Sequence, residues 1–141
     1  MTAALATATA ATFVWLGMVI AISFLEAPLK FRAPGVTIPI GLGIGRMVFR
    51  ALNAAEAVLA LAAVIGALGG GAAASVLAAG AVAVAALLIQ LIAVRPPLNR
   101  RSDSILAGED APHSRAHLAY IALEAIKVVA LLVTGIALLA S

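Results

Sequence analysis

Hydrophobic residues in this chain come in four long runs: about Thr7 to Leu29, Pro39 to Leu68, Ala72 to Val94 and Ser114 to Ala140. A helix needs about 20 apolar residues to cross a bilayer, so each run is long enough to span one. Barrel strands would show short alternating segments, and open sheet edges cannot face lipid, so continuous runs mean helices. The pattern predicts an all-α fold, an integral membrane up-down four-helix bundle, with residues 1–141 forming one domain.

Breakers mark the ends of the runs. Pro28 is expected to kink or end the first helix, "RAPGVTIP" is turn-like, and Thr37 ahead of Pro39 fits an N-cap with proline in the first turn. "GGG" at Gly69 to Gly71 predicts a tight hairpin between the second and third helices. Between the third and fourth, "RPPLNRRSDSILAGEDAPHS" reads as a polar loop of about twenty residues, long enough to be functional. The first run lacks a basic segment ahead of it, its small residues precede its apolar core, and Glu26 and Lys30 stand at its far end. It is therefore expected to be retained, not cleaved as a signal peptide.

The polar positions inside the runs are few and periodic. At roughly 100° per residue, Arg46, Arg50, Asn53 and Glu56 fall within about a third of the circumference of the second helix. In the fourth, His113, His117, Tyr120, Glu124 and Lys127 follow spacings of 4, 3, 4 and 3 and share one face. Ser23, Glu26 and Lys30 add a third short stripe, and Gln90 lies about a turn before the end of the third run. All of these sit toward one end of the bundle, which leaves the other end apolar.

Composition agrees with the pattern. The chain is 65% hydrophobic and 11% charged, with a mean hydropathy of +1.19, more apolar than a soluble core requires. It has no cysteine, which excludes disulfides and thiolate chemistry. Charge adds an orientation: Lys30, Arg32, Arg46 and Arg50 flank the first junction, and Arg95, Arg100, Arg101 and Arg115 flank the third. The N-terminus, the triple-glycine turn and the C-terminus carry no Lys or Arg. Under the positive-inside rule both basic loops are cytoplasmic and both termini outside, in a multi-pass protein of the cell inner (plasma) membrane. The pI near 10.2 then expresses topology and attraction to anionic lipid, and nucleic acid is not an expected partner.

Charges within a bilayer cost at least about 2.5 kcal/mol each on insertion scales, so they are expected to face the bundle interior and pair. Glu26, Glu56 and Glu124 can be matched by Arg46, Arg50 and Lys127: Glu124 with Lys127 along the fourth helix, Lys127 with Glu56 between helices, and Glu26 with Arg46 or Arg50. Such a network either fixes helix register or lines a site. The site reading is a cavity open to the cytoplasmic side that binds or transports an ion or small amphipathic solute. Its lining would be Glu26, Arg46, Arg50, Asn53, Glu56, Gln90, His117, Tyr120, Glu124 and Lys127. The alternatives are a membrane-embedded enzyme acting on a lipid-soluble substrate, or an accessory subunit of a membrane complex that uses the network as structure.

Other chemistry is weakly encoded. Neither Glu-x-x-His nor His-Glu-x-x-His occurs, so no metal site and no cofactor are expected. "GLGIGR" lacks the preceding strand and the Gly-Lys-Ser/Thr ending of a phosphate loop, and its glycines read as close-packing positions. Phe13, Trp15, Phe24, Phe31 and Phe49 read as interfacial anchors. Gly66, Gly70, Ala79, Ala83 and Ala86 have a spacing that permits close helix contact, including contact within a homodimer.

Several motifs together carry a resemblance. "WLG" in the first helix, "EAPLKFRAP" at its end, "GIGRMVFRALN" opening the second, "VRPPLNRR" after the third and a His at the start of the fourth resemble the bacterial four-helix membrane family related to transmembrane protein 205. That family has no assigned activity, so the resemblance implies a fold. Pro97, Leu98 and Asn99 are also similar to the "PLN" motif of anthrone-oxygenase-like four-helix proteins, which would imply oxidation of an aromatic polyketide.

Overall fold

A computed structural model describes residues 1–108 and 115–141, which apart from the terminal residues lie in helices or the short turns beside them. Four helices are long and apolar enough to cross a membrane: α1 (Ala3–Lys30), α2 (Ile38–Gly69), α3 (Ala74–Leu106) and α4 (Arg115–Ala140). Even the shortest, at 26 residues, is about 39 Å long at 1.5 Å per residue, enough for a bilayer core. Their outward faces are rows of exposed Leu, Ile and Val, among them Val58, Leu61 and Ile65 of α2 and Val129, Leu132 and Ile136 of α4. A surface so apolar suits contact with lipid or with another protein and not with water.

Local chemistry sets the ends. Thr2 caps α1 by accepting from the Leu5 amide, and Thr37 caps α2 by accepting from the Ile40 amide, with Pro39 in the first turn as expected. The α2–α3 turn needs Gly71 because its φ is +65°, a conformation that side chains disfavour.

One boundary differs from the sequence reading. α1 passes through Pro28 and ends at Lys30, beside the expected Leu29, whereas α3 does not stop at Val94 but continues to Leu106. The stretch read as a polar loop is thus helical over Arg95–Leu106. In both helices a π-helical segment precedes the proline, Ile20–Glu26 before Pro28 and Gln90–Val94 before Pro96. A proline lacks the amide that would bond the carbonyl four residues back and its ring clashes with that carbonyl. Widening the preceding turn relieves the clash, and the helix survives.

Neighbours run antiparallel. Gly66 of α2 lies against Ala4 and Ala8 of α1, while Gly41 and Gly45 lie under Phe31 and Lys30 at the other end. Gly135 of α4 receives the Phe13 ring of α1, and Ser23 meets Glu124. α1 therefore packs on α2 and α4, and α4 packs on α3 and α1, while α2 and α3 touch little before the Arg95–Leu106 extension reaches α2. Of the three glycines of "GLGIGR", Gly41 and Gly45 act in close packing and Gly43 does not, while Gly66, Gly70, Ala83 and Ala86 are spent on contacts inside the chain. A central apolar cluster joins Trp15, Leu16, Val19, Ala60, Ala83, Leu87 and Leu131, and a smaller one joins Ala8, Ala67, Val76 and Leu138 near the glycine turn.

Candidate functional site

Near the middle of the bundle every helix contributes one or more polar side chains to a single cluster. Lys127 Nζ of α4 donates to Glu56 Oε1 of α2 at 2.5 Å, to Glu124 Oε1 at 2.6 Å and to Gln90 Oε1 of α3 at 2.7 Å. Gln90 Nε2 donates to Glu124 Oε1 at 3.0 Å and to the Tyr120 carbonyl at 3.3 Å. From α1, Trp15 Nε1 donates to Glu56 Oε1 at 2.9 Å and the Ser23 hydroxyl donates to Glu124 Oε2. Glu56, Gln90, Glu124 and Lys127 are each at most 1% exposed. The two π segments contain Ser23 and Gln90, so the turns that accommodate the prolines also carry donors to Glu124.

Toward the basic end, Glu124 is also part of the wall of a cavity of about 460 Å³. That volume lies in the range of small-molecule sites. Most of the wall is apolar, with Phe24, Phe31, Leu42, Phe49, Leu98 and Ile121 prominent. Its charges are lopsided: Lys30, Arg46, Arg95 and Arg101 line it together with His117, against Glu124 as the one carboxylate among the described lining residues.

Arg95 is the most constrained of these cations. Its guanidinium lies 4.8 Å from the centre of the Tyr120 ring and 5.5 Å from that of Phe49, and those two rings meet edge to face at 5.8 Å. One terminal nitrogen donates to the Tyr120 hydroxyl at 3.1 Å, whereas Nε is buried without a hydrogen-bond partner. Stacking holds the group rigid while leaving donor capacity unused. The other cations are differently placed: Lys30 is 3.8 Å from Glu26 and rests on the Phe31 and Phe49 rings, and Arg46 pairs with Asp103 of the α3 extension.

The expected residues thus divide. Arg46, His117, Tyr120 and Glu124 line the cavity; Glu56, Gln90 and Lys127 lie behind it in the closed cluster. Both anticipated pairings of Lys127 are present. Glu26, however, pairs with Lys30 and with neither Arg46 nor Arg50, because the two residues are one turn apart on α1 and Arg46 is engaged by an extension that had been read as loop. Arg50 is exposed on the outer face of α2, and Asn53 is partly buried with its Oδ1 unpartnered. His113 lies outside the described residues. Trp15 is not an interfacial anchor: it is 2% exposed and bonded to Glu56.

In the sequence Arg95 reads only as a loop-side cation, Phe49 as an anchor, and Lys30 as a loop-side cation and a member of the short stripe with Ser23 and Glu26. The "VRPP" step gives no signal of the helical course of Arg95, since a residue before a proline normally turns away from the helix. Among the described residues no cluster of three His, Cys, Asp or Glu could hold a metal ion.

No family model, curated protein or solved structure matches this chain. The likeness to the transmembrane protein 205-related family and to anthrone-oxygenase-like proteins therefore stands on the quoted motifs alone, and the functional reading rests on the chemistry of the cavity.

Proposed function

We propose that this chain is a multi-pass inner-membrane protein whose cavity, at the cytoplasmic end, binds a small amphipathic anion, with a carboxylate-like head at Arg95 and an apolar tail along the aromatic wall. The observation that carries the reading is Arg95, a guanidinium in contact with two rings and with a buried, unpartnered Nε, on the wall of a cavity lined, among the described residues, by more cations than carboxylates. A planar guanidinium recognises carboxylate or phosphate oxygens through paired N–H donors, and a rigid one loses little freedom on doing so. The apolar remainder of the wall favours a hydrocarbon tail over a fully hydrated ion. The surplus of cations at this end supports its cytoplasmic placement.

The test is binding by the purified protein in detergent, with oleate, oleyl alcohol and inorganic phosphate as probes. Oleate should bind more tightly than oleyl alcohol, and phosphate should not displace it. Arg95→Gln should weaken oleate by about 10- to 100-fold, the value of a charge-assisted hydrogen bond of roughly 1.5–3 kcal/mol, and leave oleyl alcohol unchanged. Equal binding of acid and alcohol, both indifferent to Arg95→Gln, would remove the anion from the reading.

A further inference from the structure

The deep cluster contains two carboxylates and one ammonium, all at most 1% exposed. With all three ionised its formal charge is −1, in an interior that disfavours unbalanced charge. No donor remains to offset it. Lys127 has spent its three N–H groups on Glu56, Glu124 and Gln90. The Trp15 N–H goes to Glu56 Oε1, and the Ser23 hydroxyl goes to Glu124 Oε2. The one carboxylate oxygen of the cluster left without a partner is Glu56 Oε2. Among the described residues no further cation bonds the two carboxylates: α1 presents neutral Trp15 and Ser23, α2 adds neutral Asn53 a turn away, α3 presents neutral Gln90, and His117 of α4 lies on the cavity wall two turns before Glu124. Arg95 stands beyond, on the far side of the Tyr120 hydroxyl of α4.

We propose that this cluster holds one exchangeable proton, carried on Glu56 Oε2, and that the proton is taken up together with an anion in the cavity. A neutral carboxyl at Glu56 makes the cluster neutral, and an O–H without an acceptor costs less than an unpaired buried charge. Glu124 connects the two halves, because it belongs both to the cavity wall and to the cluster. A proton arriving from the cavity meets Glu124 first and is relayed by exchange with the Lys127 ammonium to Glu56 Oε1, and a half-turn of the Glu56 carboxyl then puts the protonated oxygen in the unpartnered position, with no other covalent bond made or broken. An anion at Arg95 brings a second negative charge close to Glu124, which favours the proton. By reciprocity the proton favours the anion. The coupling rests on the cavity reading above; the proton site does not.

The chain has a single tryptophan, and it donates to Glu56, so its emission reads the charge of the cluster directly. In ligand-free protein, Trp15 emission should titrate with pH in one step, and the infrared spectrum should contain a protonated carboxyl band. Glu56→Gln should abolish both. Glu124→Gln leaves a neutral Glu56–Lys127 pair and should also remove the proton, which gives a second variant should the first fail to fold.

For the coupling, decanesulfonate is the probe, because its head does not titrate in the working range. Measured in a His117→Gln background, so that no imidazole lines the cavity, its affinity should rise as pH falls, by up to about tenfold per unit for one linked proton, and should become independent of pH once either variant is added. Flat emission without a protonated carboxyl band, or a step that persists in Glu56→Gln, overturns the proton site. A normal emission step with a flat decanesulfonate affinity overturns the coupling. Absence of decanesulfonate binding at every pH overturns the coupling together with the cavity reading, while the emission step still decides the proton site.

Discussion

Lys127 illustrates how far one residue can organise a membrane interior. A buried ammonium is tolerable only if its charge and all of its donors are met, and here three helices are drawn to one nitrogen to meet them. Removing it leaves the two carboxyl groups of Glu56 and Glu124 in the same buried volume with no cation to balance either. Lys127→Met should lower stability by about 3–5 kcal/mol, the usual cost of breaking a buried pair from one side. Adding Glu56→Gln and Glu124→Gln to Lys127→Met should restore most of the loss, measured as thermal unfolding in detergent. A Lys127→Met protein as stable as the wild type would mean that the cluster is not what holds these helices in register. Half of this arrangement is legible locally: Tyr120, Glu124 and Lys127 follow helical spacing, so the sequence alone places them on one face. Trp15 is different. It is 41 positions from Glu56, and an isolated tryptophan near a run's outer third looks the same whether it anchors at an interface or caps a buried carboxylate.

Individual helices depend on small residues and on a widened turn. Where α1 crosses α2, a Cβ on Gly66 would stand 2.7 Å from the Ala4 carbonyl oxygen and 2.9 Å from the Ala8 nitrogen, both backbone atoms that cannot swing aside. Gly43, in the same helix, has nothing within 4 Å of a built Cβ. Alanine at Gly43 should stabilise α2 by up to about 1 kcal/mol through helix propensity. At Gly66 the same change should destabilise by about 1–3 kcal/mol, because overpacking of the α1–α2 contact outweighs that gain. Equal effects at the two positions, in the same unfolding assay, would show that α1 and α2 are not in close contact there. What the sequence concealed at this scale has one cause. A proline in a long apolar run reads as a kink or an end, and a polar segment after a proline pair as a loop, yet a π turn lets α1 continue through Pro28 and α3 through Pro96 and Pro97. The extension so created supplies Arg95, Leu98, Asn99, Arg101 and Ser102 to the cavity wall, which is why much of the site could not be assembled from periodicity.

At the scale of the whole molecule, the four apolar runs were enough to specify an antiparallel helical bundle, because segments of that length and composition have few alternatives in lipid. The same logic predicts orientation. The N-terminus, the glycine turn and the C-terminus cluster at one end through Ala8, Ala67, Val76 and Leu138, and this end has no Lys or Arg. The opposite end gathers Lys30, Arg32, Arg46, Arg95, Arg100 and Arg101. Because the chain has no cysteine, single cysteines report cleanly on side. Gly70 is unsuitable, since a Cβ there would meet the Leu5 side chain at 2.7 Å, but Ala73, Ala107 and Ser141 are exposed and tolerate the change. In intact cells an impermeant thiol reagent should label Ala73→Cys and Ser141→Cys and spare Ala107→Cys, which becomes reactive once the membrane is opened. The inverse labelling would turn the cavity toward the outside. Arg95 would then face solutes from beyond the cell, and the proton linked to the anion would be drawn from the opposite compartment.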